Sequence, residues 1–255
     1  MNTDSFHREL VASHKPDRIR DRLAEPTQHS YLRDFIYGGI DGAVTTFAVV
    51  SGVAGAGLSS GVVIILGIAN LIGDGFSMAA SNYLGTRADD QLREKARHTE
   101  EQHIRHHPDG EREEIRQIFA MKGFEGRVLE EAVEVICSDR ERWIDTMLKD
   151  ELGLPLHTPS ATRAAITTFL AFVTIGSLPL APFILEFVVG KPLTWTYHIS
   201  TGLTAIAFFL IGAAKSRFVM QKWQFAGLET LAVGGIAAGL AYVAGLLLGD
   251  LAKGL

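Results

Sequence analysis

The stretch GVVIILGIANLIGDGFSMAASNYL, residues 61–84, runs for 24 residues with Asp74 as its one charged residue. An α-helix rises about 1.5 Å per residue, so about 20 mainly apolar residues cross the roughly 30 Å hydrocarbon core of a bilayer. This stretch is long enough and apolar enough to do so. It therefore predicts a membrane-spanning helix that carries a carboxylate near its middle.

Four other stretches have a similar composition. They are Phe35–Leu58, which contains Asp41, together with Ala164–Val189, Thr196–Ala214 and Phe225–Leu248. Five such stretches in a chain of 255 residues leave too little polar surface to enclose them in a soluble protein. The sequence therefore predicts an all-α membrane protein with five transmembrane helices, in contact with lipid, whose termini lie on opposite sides.

The distribution of charge predicts orientation and organisation. Lys and Arg concentrate in the cytoplasmic loops of membrane proteins. Here they crowd the N-terminal arm, the segment after the second span and the fourth connection, whereas only Lys191 and Lys253 lie on the other side. We therefore expect a polar cytoplasmic arm (1–31), two spans (32–86), a small cytoplasmic helical domain (87–160) and three spans (161–255), with the C terminus facing away from the cytoplasm.

Composition also excludes several classes of protein. Of the 29 acidic residues, 18 lie between positions 87 and 160, so the net charge of −5 describes no uniform surface. No basic stripe with interleaved aromatic residues is present, so we expect no nucleic-acid partner. Cys137 is the only cysteine, which excludes an internal disulfide and a thiolate metal cluster.

The acidic middle segment is predicted to form short amphipathic helices. The first continues the second span to about Arg105, where the sequence His106-His107-Pro108-Asp109-Gly110 ends it. Three more helices follow: Glu111–Gly123, Gly126–Cys137, and a fourth that the capping-box spacing of Ser138 and Glu141 opens and Gly153 closes.

Side chains that bind metals recur in this segment at helical spacing. Residues three or four apart share one face of a helix, and the pairs with that spacing are Glu100 and His103, Glu111 and Glu114, and Met147 and Glu151. Each pair alone is typical of a solvated helix face, and neighbouring arginines could neutralise the acids. Carboxylates, an imidazole and a thioether in combination suit Fe²⁺, Mn²⁺ or Zn²⁺. We expect these ions as transported or regulatory ions, with no permanently bound cofactor.

Asp41 and Asp74 lie inside the first two predicted spans. A charged side chain at that depth costs at least ~2.5–3.5 kcal/mol unless it is neutralised, paired or wetted. No Lys or Arg lies in the apolar part of any span, so a proton or a metal cation is the expected partner of Asp41 and Asp74. Asn70, Asp74 and Met78 follow each other at intervals of one turn. An interfacial, solvated position for Asp41 is the alternative.

Glycine and proline spacing carries two further predictions. The motifs Gly38-x-x-x-Gly42 and Gly235-x-x-x-Gly239 let helix backbones approach closely, either within one chain or across a dimer seam. Pro179 and the nearby Pro182 are expected to kink or break the third span in its outer half.

Three stretches together resemble the vacuolar iron transporter family, from about residue 31 to the C terminus. They are Asp34-Phe-Ile-Tyr-Gly-Gly-Ile-Asp-Gly-Ala-Val-Thr-Thr-Phe47; Gly67-Ile-Ala-Asn-Leu with Ser77-Met78 and Tyr83-Leu84; and Trp143 through Met147 to Asp150-Glu-Leu-Gly-Leu154. The resemblance implies a homodimer of five-span chains. In such a protein a cytoplasmic domain captures Fe²⁺, and often Mn²⁺, which then leaves the cytosol in exchange for protons. The membrane would be the inner membrane of a bacterium or the vacuolar membrane of a eukaryote.

The resemblance also implies roles for individual residues. It makes Asp41 and Met78 the transport residues within the membrane. The implied cytoplasmic ligands are Glu100, Glu111, Glu114, Met147 and Glu151.

Four positions depart from the family pattern. His103 stands where the family usually has a glutamate, which favours Zn²⁺ or Co²⁺, and Leu148 replaces a second methionine. Asn70 replaces another glutamate, while Asp74 occupies a position that is normally small and apolar. We hypothesise that the pathway acid has moved one helical turn, from 70 to 74.

Two other functions fit parts of the pattern. A membrane-tethered, ferritin-like iron oxidase or store would need two Glu-x-x-His motifs, and only Glu100-x-x-His103 is present. A metal-sensing membrane scaffold would bind metal without moving it, and would not need acids within the spans.

Overall fold

The computed structural model describes residues 3–24, 30–191 and 194–253, which form helices and connections without a strand. The chain divides into two compact units, residues 1–30 and 31–255. The first unit contains helices α1 (Thr3–Ser13) and α2 (Pro16–Ala24). The sequence predicted only a polar arm here. Phe6 and Leu10 on α1 repeat at the spacing of one helical turn, as do Ile19 and Leu23 on α2, so both helices are amphipathic.

The described residues of the second unit form nine α-helices and a short π-helical turn. Their bounds are α3 (Leu32–Ala56), α4 (Ser60–His106), α5 (Pro108–Met121), α6 (Gly126–Cys137), α7 (Arg140–Thr146), the π-helical turn (Met147–Glu151), α8 (Ala161–Gly176), α9 (Ala181–Val189), α10 (Thr196–Lys215) and α11 (Trp223–Lys253). Among the described residues, helices α3, α4, α10 and α11 are each long and apolar enough to cross a membrane. Helices α8 and α9 together would make a fifth span, and they are bent by 59° at the break between them. The predicted break at Pro179 and Pro182 is therefore confirmed.

Small residues let the membrane helices pack with their backbones in contact. A Cβ atom built on Gly42 would lie 2.4 Å from the carbonyl oxygen of Phe172 on α8, and one on Gly38 would lie 2.6 Å from that of Thr168. The first glycine motif therefore packs α3 against α8 within one chain. No described residue lies within 4 Å of a Cβ built on Gly235 or Gly239, so the second motif has no such partner in the part of the chain that the structure describes.

Helix α4 joins the membrane helices to a small helical bundle. It has 47 residues, which corresponds to a length of about 70 Å. Its unbroken course past Gly85 confirms the prediction that the second span continues into the acidic segment. Helices α5, α6 and α7 pack beside its far end around a core formed by Ile115, Ile118, Val133, Trp143 and Met147.

Two predicted boundaries in the bundle were wrong. Helix α5 begins at Pro108 rather than Glu111, because proline fits the first turn of a helix, where its missing N–H is not needed. The cap of α7 is Asp139, whose carboxylate accepts a hydrogen bond from the backbone N–H of Arg142 at 2.8 Å. The hydroxyl of Ser138 donates to the carbonyl oxygen of Val135 instead.

Candidate metal centre and membrane pathway

Helices α4 and α5 bring three of the predicted ligands together. One ligand atom each of Glu100, His103 and Glu111 lies within 4.8 Å of the other two. His103 Nδ1 is 3.3 Å from Glu111 Oε1. The spacing of three residues on α4 places Glu100 and His103 on one face, and the turn at His107 folds α5 back so that Glu111 meets them. Two carboxylates and an imidazole at this separation could hold a metal ion.

Burial makes the acids of this cluster unusual. Glu100 is 4% exposed and Glu111 is 5% exposed. Desolvation, followed by the nearby charges of Glu114 and Glu100, raises the pKa of Glu111 to about 7. Desolvation is also the main cause that raises the pKa of Glu100, whereas His103 lowers it. Two carboxylates that water cannot solvate are therefore held together without a permanent counter-charge.

The other predicted ligands lie around this cluster. Glu114 and Glu151 are close enough for their charges to raise the pKa of Glu100 or Glu111, and the pKa of Glu151 is itself raised, chiefly by burial. Met147 is fully buried in the bundle core and begins the π-helical turn that ends at Glu151. Helical turns of this wider type are frequent at functional sites.

The arginines of the bundle neutralise other acids. Arg97 pairs with Glu141 and Asp145 on α7, and Arg116 pairs with Glu130 on α6 and with Glu113. In the part of the chain that the structure describes, no Lys or Arg forms an ion pair with any glutamate of the cluster. The Lys and Arg side chains thus hold the helices together and leave the acids of the cluster with His103 as their basic neighbour.

Two buried oxygen atoms show that this cluster suits a cation. Glu100 Oε2 and Glu111 Oε2 are inaccessible to solvent and have no hydrogen-bond partner among the described residues. A buried carboxylate oxygen without a partner is costly. Carboxylate and imidazole ligands suit Fe²⁺, Mn²⁺ and Zn²⁺, so the residues fit the metal ions that the sequence indicates.

A second polar group lies within the membrane helices. The side-chain amide of Asn70 on α4 donates to Thr45 Oγ1 at 3.1 Å and to Thr46 Oγ1 at 3.2 Å, both on α3. Thr45 in turn donates to the backbone carbonyl oxygen of Asp41 at 2.9 Å. Asn70 therefore tethers α4 to α3 one turn beyond Asp41, which is half-buried.

The remaining pathway residues differ in their surroundings. Met78 is half-buried and packs against the apolar core of the membrane helices. Asp74 is exposed on the outward face of α4, yet it lies near enough to Asp41 for their charges to interact. Asn70, Asp74 and Met78, which follow each other at intervals of one turn, therefore have different surroundings. Asn70 and Met78 face neighbouring helices, whereas Asp74 faces outward.

A third polar group lies at the end of the membrane helices nearest the bundle. The amide of Asn82 donates to Asp34 Oδ1 at 3.0 Å and to Thr168 Oγ1 at 2.7 Å. These bonds join α4 to α3 and α8 where the chain passes from membrane helices to bundle. The sequence did not predict this junction, because its three members are far apart in the chain.

Glu186, which lies in the predicted third span, was not among the site residues predicted from the sequence. Its carboxylate accepts a hydrogen bond of 2.6 Å from the hydroxyl of Thr196, which is 4% exposed. An acid within an apolar stretch, the signal that singled out Asp41, was present here too.

Apolar helices of spanning length, carboxylates among them and an acidic cluster beside them define a membrane protein that handles cations. The model of the VIT family matches residues 32–246, so the chain belongs to the VIT family. It is 34% identical over 230 residues to Vacuolar iron transporter 1 of Eucalyptus grandis, covering 88% of this chain and 90% of that protein. It is 32% identical over 220 residues to Vacuolar iron transporter 1 of Tulipa gesneriana (85% and 86%) and 29% identical over 249 residues to the Vacuolar iron transporter of Toxoplasma gondii (95% and 80%).

Proposed function

We propose that this protein moves divalent metal ions, Fe²⁺ foremost and Mn²⁺ as well, out of the cytosol in exchange for protons. The observation that carries the proposal is the course of α4. One unbroken helix bears Glu100 and His103 of the acidic cluster and, further along, Met78 and Asn70, whose amide binds Thr45 one turn from Asp41. The names of the relatives above support iron as the ion. His103 would extend the range towards Zn²⁺ or Co²⁺.

The acidic bundle would act first, on the cytoplasmic side. Its unpaired charge raises the local concentration of dications, and the buried oxygen atoms of Glu100 and Glu111 give them a binding site, with Glu114, Met147 and Glu151 nearby. The large number of Lys and Arg residues in the same segment supports this orientation. The N terminus would then be cytoplasmic and, with five spans, the C terminus would lie on the opposite side.

The membrane step would depend on Asp41 and Met78. A dication offsets the cost of an ionised carboxylate in the apolar layer, and a proton does so once the metal has left. Exchange of the two cations at Asp41 keeps the site close to neutral throughout the cycle. Asp74 would add a second carboxylate to the route, in place of the acid that the family has at position 70.

Two copies of the chain would form the working unit. Asp74 faces outward from α4, where contact with lipid would be costly. Gly235 and Gly239 lie exposed on α11 with no described residue within 4 Å of a Cβ built on either, and small residues at this spacing favour helix pairing in membranes. A homodimer would cover these surfaces.

Anaerobic uptake of Fe²⁺ into proteoliposomes, with and without a pH gradient, tests the proposal. We expect wild-type protein to move Fe²⁺ into the vesicles and to move it faster when the interior is acidic. Asp41→Asn keeps the size of the side chain but cannot ionise, and should reduce the rate at least tenfold. Glu134→Gln is the control, since it also removes one negative charge but lies exposed on α6.

The same assay separates the alternatives. An oxidase would convert Fe²⁺ to Fe³⁺ under air, and a sensing scaffold would bind metal without filling the vesicles. Full-rate transport by a chain that lacks the carboxylates of both Asp41 and Asp74 would contradict the proposed pathway.

A further inference from the structure

Glu186 stands apart from both carboxylate groups described above. It lies in the last turn of α9, just before the cap of that helix at Gly190, at the end of the membrane helices remote from the bundle. The start of α10 lies at the same end, and its cap residue Trp195 is exposed. Helix ends and exposed tryptophans are typical of the boundary between the hydrocarbon layer and water. Glu186 therefore lies close to that boundary on the far side.

A cavity of about 380 Å³ opens at this boundary, between the start of α4 and the end of α9. Its volume lies within the range of about 300–1,000 Å³ that is usual for small-molecule sites. Its polar side chains are those of Ser60, Glu186 and Lys191. Among the described residues no ion pair joins Glu186 to Lys191, so the carboxylate and the ammonium group can bind different parts of one ligand.

The carboxylate of this cavity suits a primary ammonium group. Glu186 accepts a hydrogen bond of 2.6 Å from the hydroxyl of Thr196, which is buried, so the carboxylate is held in place. An ionised carboxylate accepts about four hydrogen bonds, which leaves capacity for a further donor. A dication fits less well, because the ammonium group of Lys191 repels it and few further ligands are present.

The other two polar side chains of the cavity suit a phosphate group. Lys191 is exposed, and Ser60 is half-buried at the start of α4. An ammonium group and a hydroxyl both donate hydrogen bonds to phosphate oxygens, and charge strengthens the bond from the ammonium group. A ligand that satisfies the whole polar lining therefore carries one phosphate and one ammonium group, and has no net charge.

The rest of the lining is apolar and continues into the surface that faces lipid. It includes Ile64, Phe183 and Phe187. Phe187 is 76% exposed and its neighbour Val188 is 74% exposed, so acyl chains cover this face of α9 in a membrane. Phe183 is fully buried and packs edge-on against Tyr197. Among the described lining residues Phe187 thus offers the one open aromatic face, whereas choline groups bind in cages of several.

We propose that this cavity binds the headgroup of phosphatidylethanolamine, a phospholipid without net charge whose headgroup ends in a primary ammonium group. The ammonium group binds Glu186, the phosphate binds Lys191 and Ser60, and the acyl chains lie along α9. The lipid bridges the start of α4 and the end of α9, and so stabilises the outer half of the broken third span. The site is separate from the proposed metal route, so its test needs no transport.

Native mass spectrometry of the delipidated full chain in detergent tests the site. Phosphatidylethanolamine, phosphatidylglycerol and phosphatidylcholine with identical acyl chains are titrated separately, and we expect the first to bind at least tenfold more tightly than the others. Glu186→Gln still accepts the hydrogen bond from Thr196 but carries no charge. It should bind phosphatidylethanolamine at least tenfold more weakly and lose the preference for it. Lys191→Gln should weaken the binding of all three lipids, because each contains a phosphate.

Glu134→Gln and Lys95→Gln are the matched controls, since they remove the same charges at exposed positions of the bundle. Both should keep the wild-type preference, and glycerophosphoethanolamine, which has no acyl chains, should not displace the lipid. Lys191 is exposed, so Lys191→Gln tests the site even if a substitution within α9 disturbs the fold. Equal affinity of wild type for the three lipids, an unchanged preference in Glu186→Gln, unchanged lipid binding by Lys191→Gln, or displacement by glycerophosphoethanolamine would each contradict the proposal.

Discussion

Glu111 shows how one residue can couple metal binding to pH. Its burial and the neighbouring acids raise its pKa to about 7, whereas an exposed glutamate ionises near 4.3. A metal ligand must be deprotonated to bind, so protons compete with metal at this position in the physiological range. Glu134 lies exposed on α6, which makes that residue a suitable comparison.

We predict that the affinity of the detergent-purified chain for Mn²⁺ falls about tenfold between pH 8 and pH 6. At pH 8 Glu111 is mostly ionised, and at pH 6 a pKa of about 7 leaves it about ten to one protonated. Titration of Mn²⁺ followed by electron paramagnetic resonance measures the affinity. Glu111→Gln should bind at least tenfold more weakly at pH 8 and show a shallower pH dependence. Equal affinity of wild type and variant at both pH values would refute the role of Glu111.

At the scale of single elements, the N-terminal cap of α7 fixes where that helix begins, ahead of the π-helical turn with Met147 and Glu151. The sequence offers two capping residues in succession, Ser138 and Asp139. The structure selects Asp139 because its carboxylate reaches the N–H group of Arg142. The hydroxyl of Ser138 is bound to the carbonyl oxygen of Val135, so it supports the end of α6.

Capping predicts unequal costs for two neighbouring substitutions. Asp139→Ala should destabilise the bundle by about 1 kcal/mol, since the first turn of α7 loses its side-chain acceptor. Ser138→Ala should cost less. Thermal unfolding of the purified chain, followed by the fluorescence of Trp143 with the other tryptophans replaced by Phe, measures both. If Ser138→Ala costs more stability than Asp139→Ala, the cap of α7 is Ser138, as the sequence predicted.

Backbone contact between α3 and α8 leads to a second prediction at this scale. Gly42→Ala places a methyl group against the backbone of Phe172, and two helices must separate to admit it. We expect a loss of stability of about 1–3 kcal/mol, as for other overpacked sites. Gly202→Ala is the control, because nothing lies within 4 Å of that position and alanine favours helix. Thermal denaturation in detergent compares the two variants, and an unchanged Gly42→Ala protein would exclude the close contact.

At the scale of the whole molecule, the exposed glycines Gly235 and Gly239 of α11 lead to a prediction about the homodimer. Leucine at Gly235 would push a second copy away from this surface, so Gly235→Leu should lower the dimer fraction at least tenfold. Gly202→Leu adds the same side chain to an exposed position on α10 and should leave the dimer intact. Light scattering coupled to size-exclusion chromatography in detergent measures the mass. A dimer unaffected by Gly235→Leu would place the seam elsewhere.

Local patterns predicted much of this architecture. The continuation of α4 past Gly85 followed from the lack of a helix breaker, and the bend between α8 and α9 followed from Pro179 and Pro182. Pairs on one helix, such as Glu100 with His103, followed from spacing alone. These features depend on residues a few positions apart, so no knowledge of the packing was needed.

Tertiary structure alone decided the rest, because contacts between distant parts of the chain leave no periodic signal. The sequence by itself determined that apolar helices carry acids in and beside a membrane. Only the folded chain shows that Glu111 is buried against Glu100, that the arginines pair with other acids, and that Glu186 meets Thr196 across a broken span. Burial sets the electrostatic cost of each carboxylate, and burial depends on which helices meet.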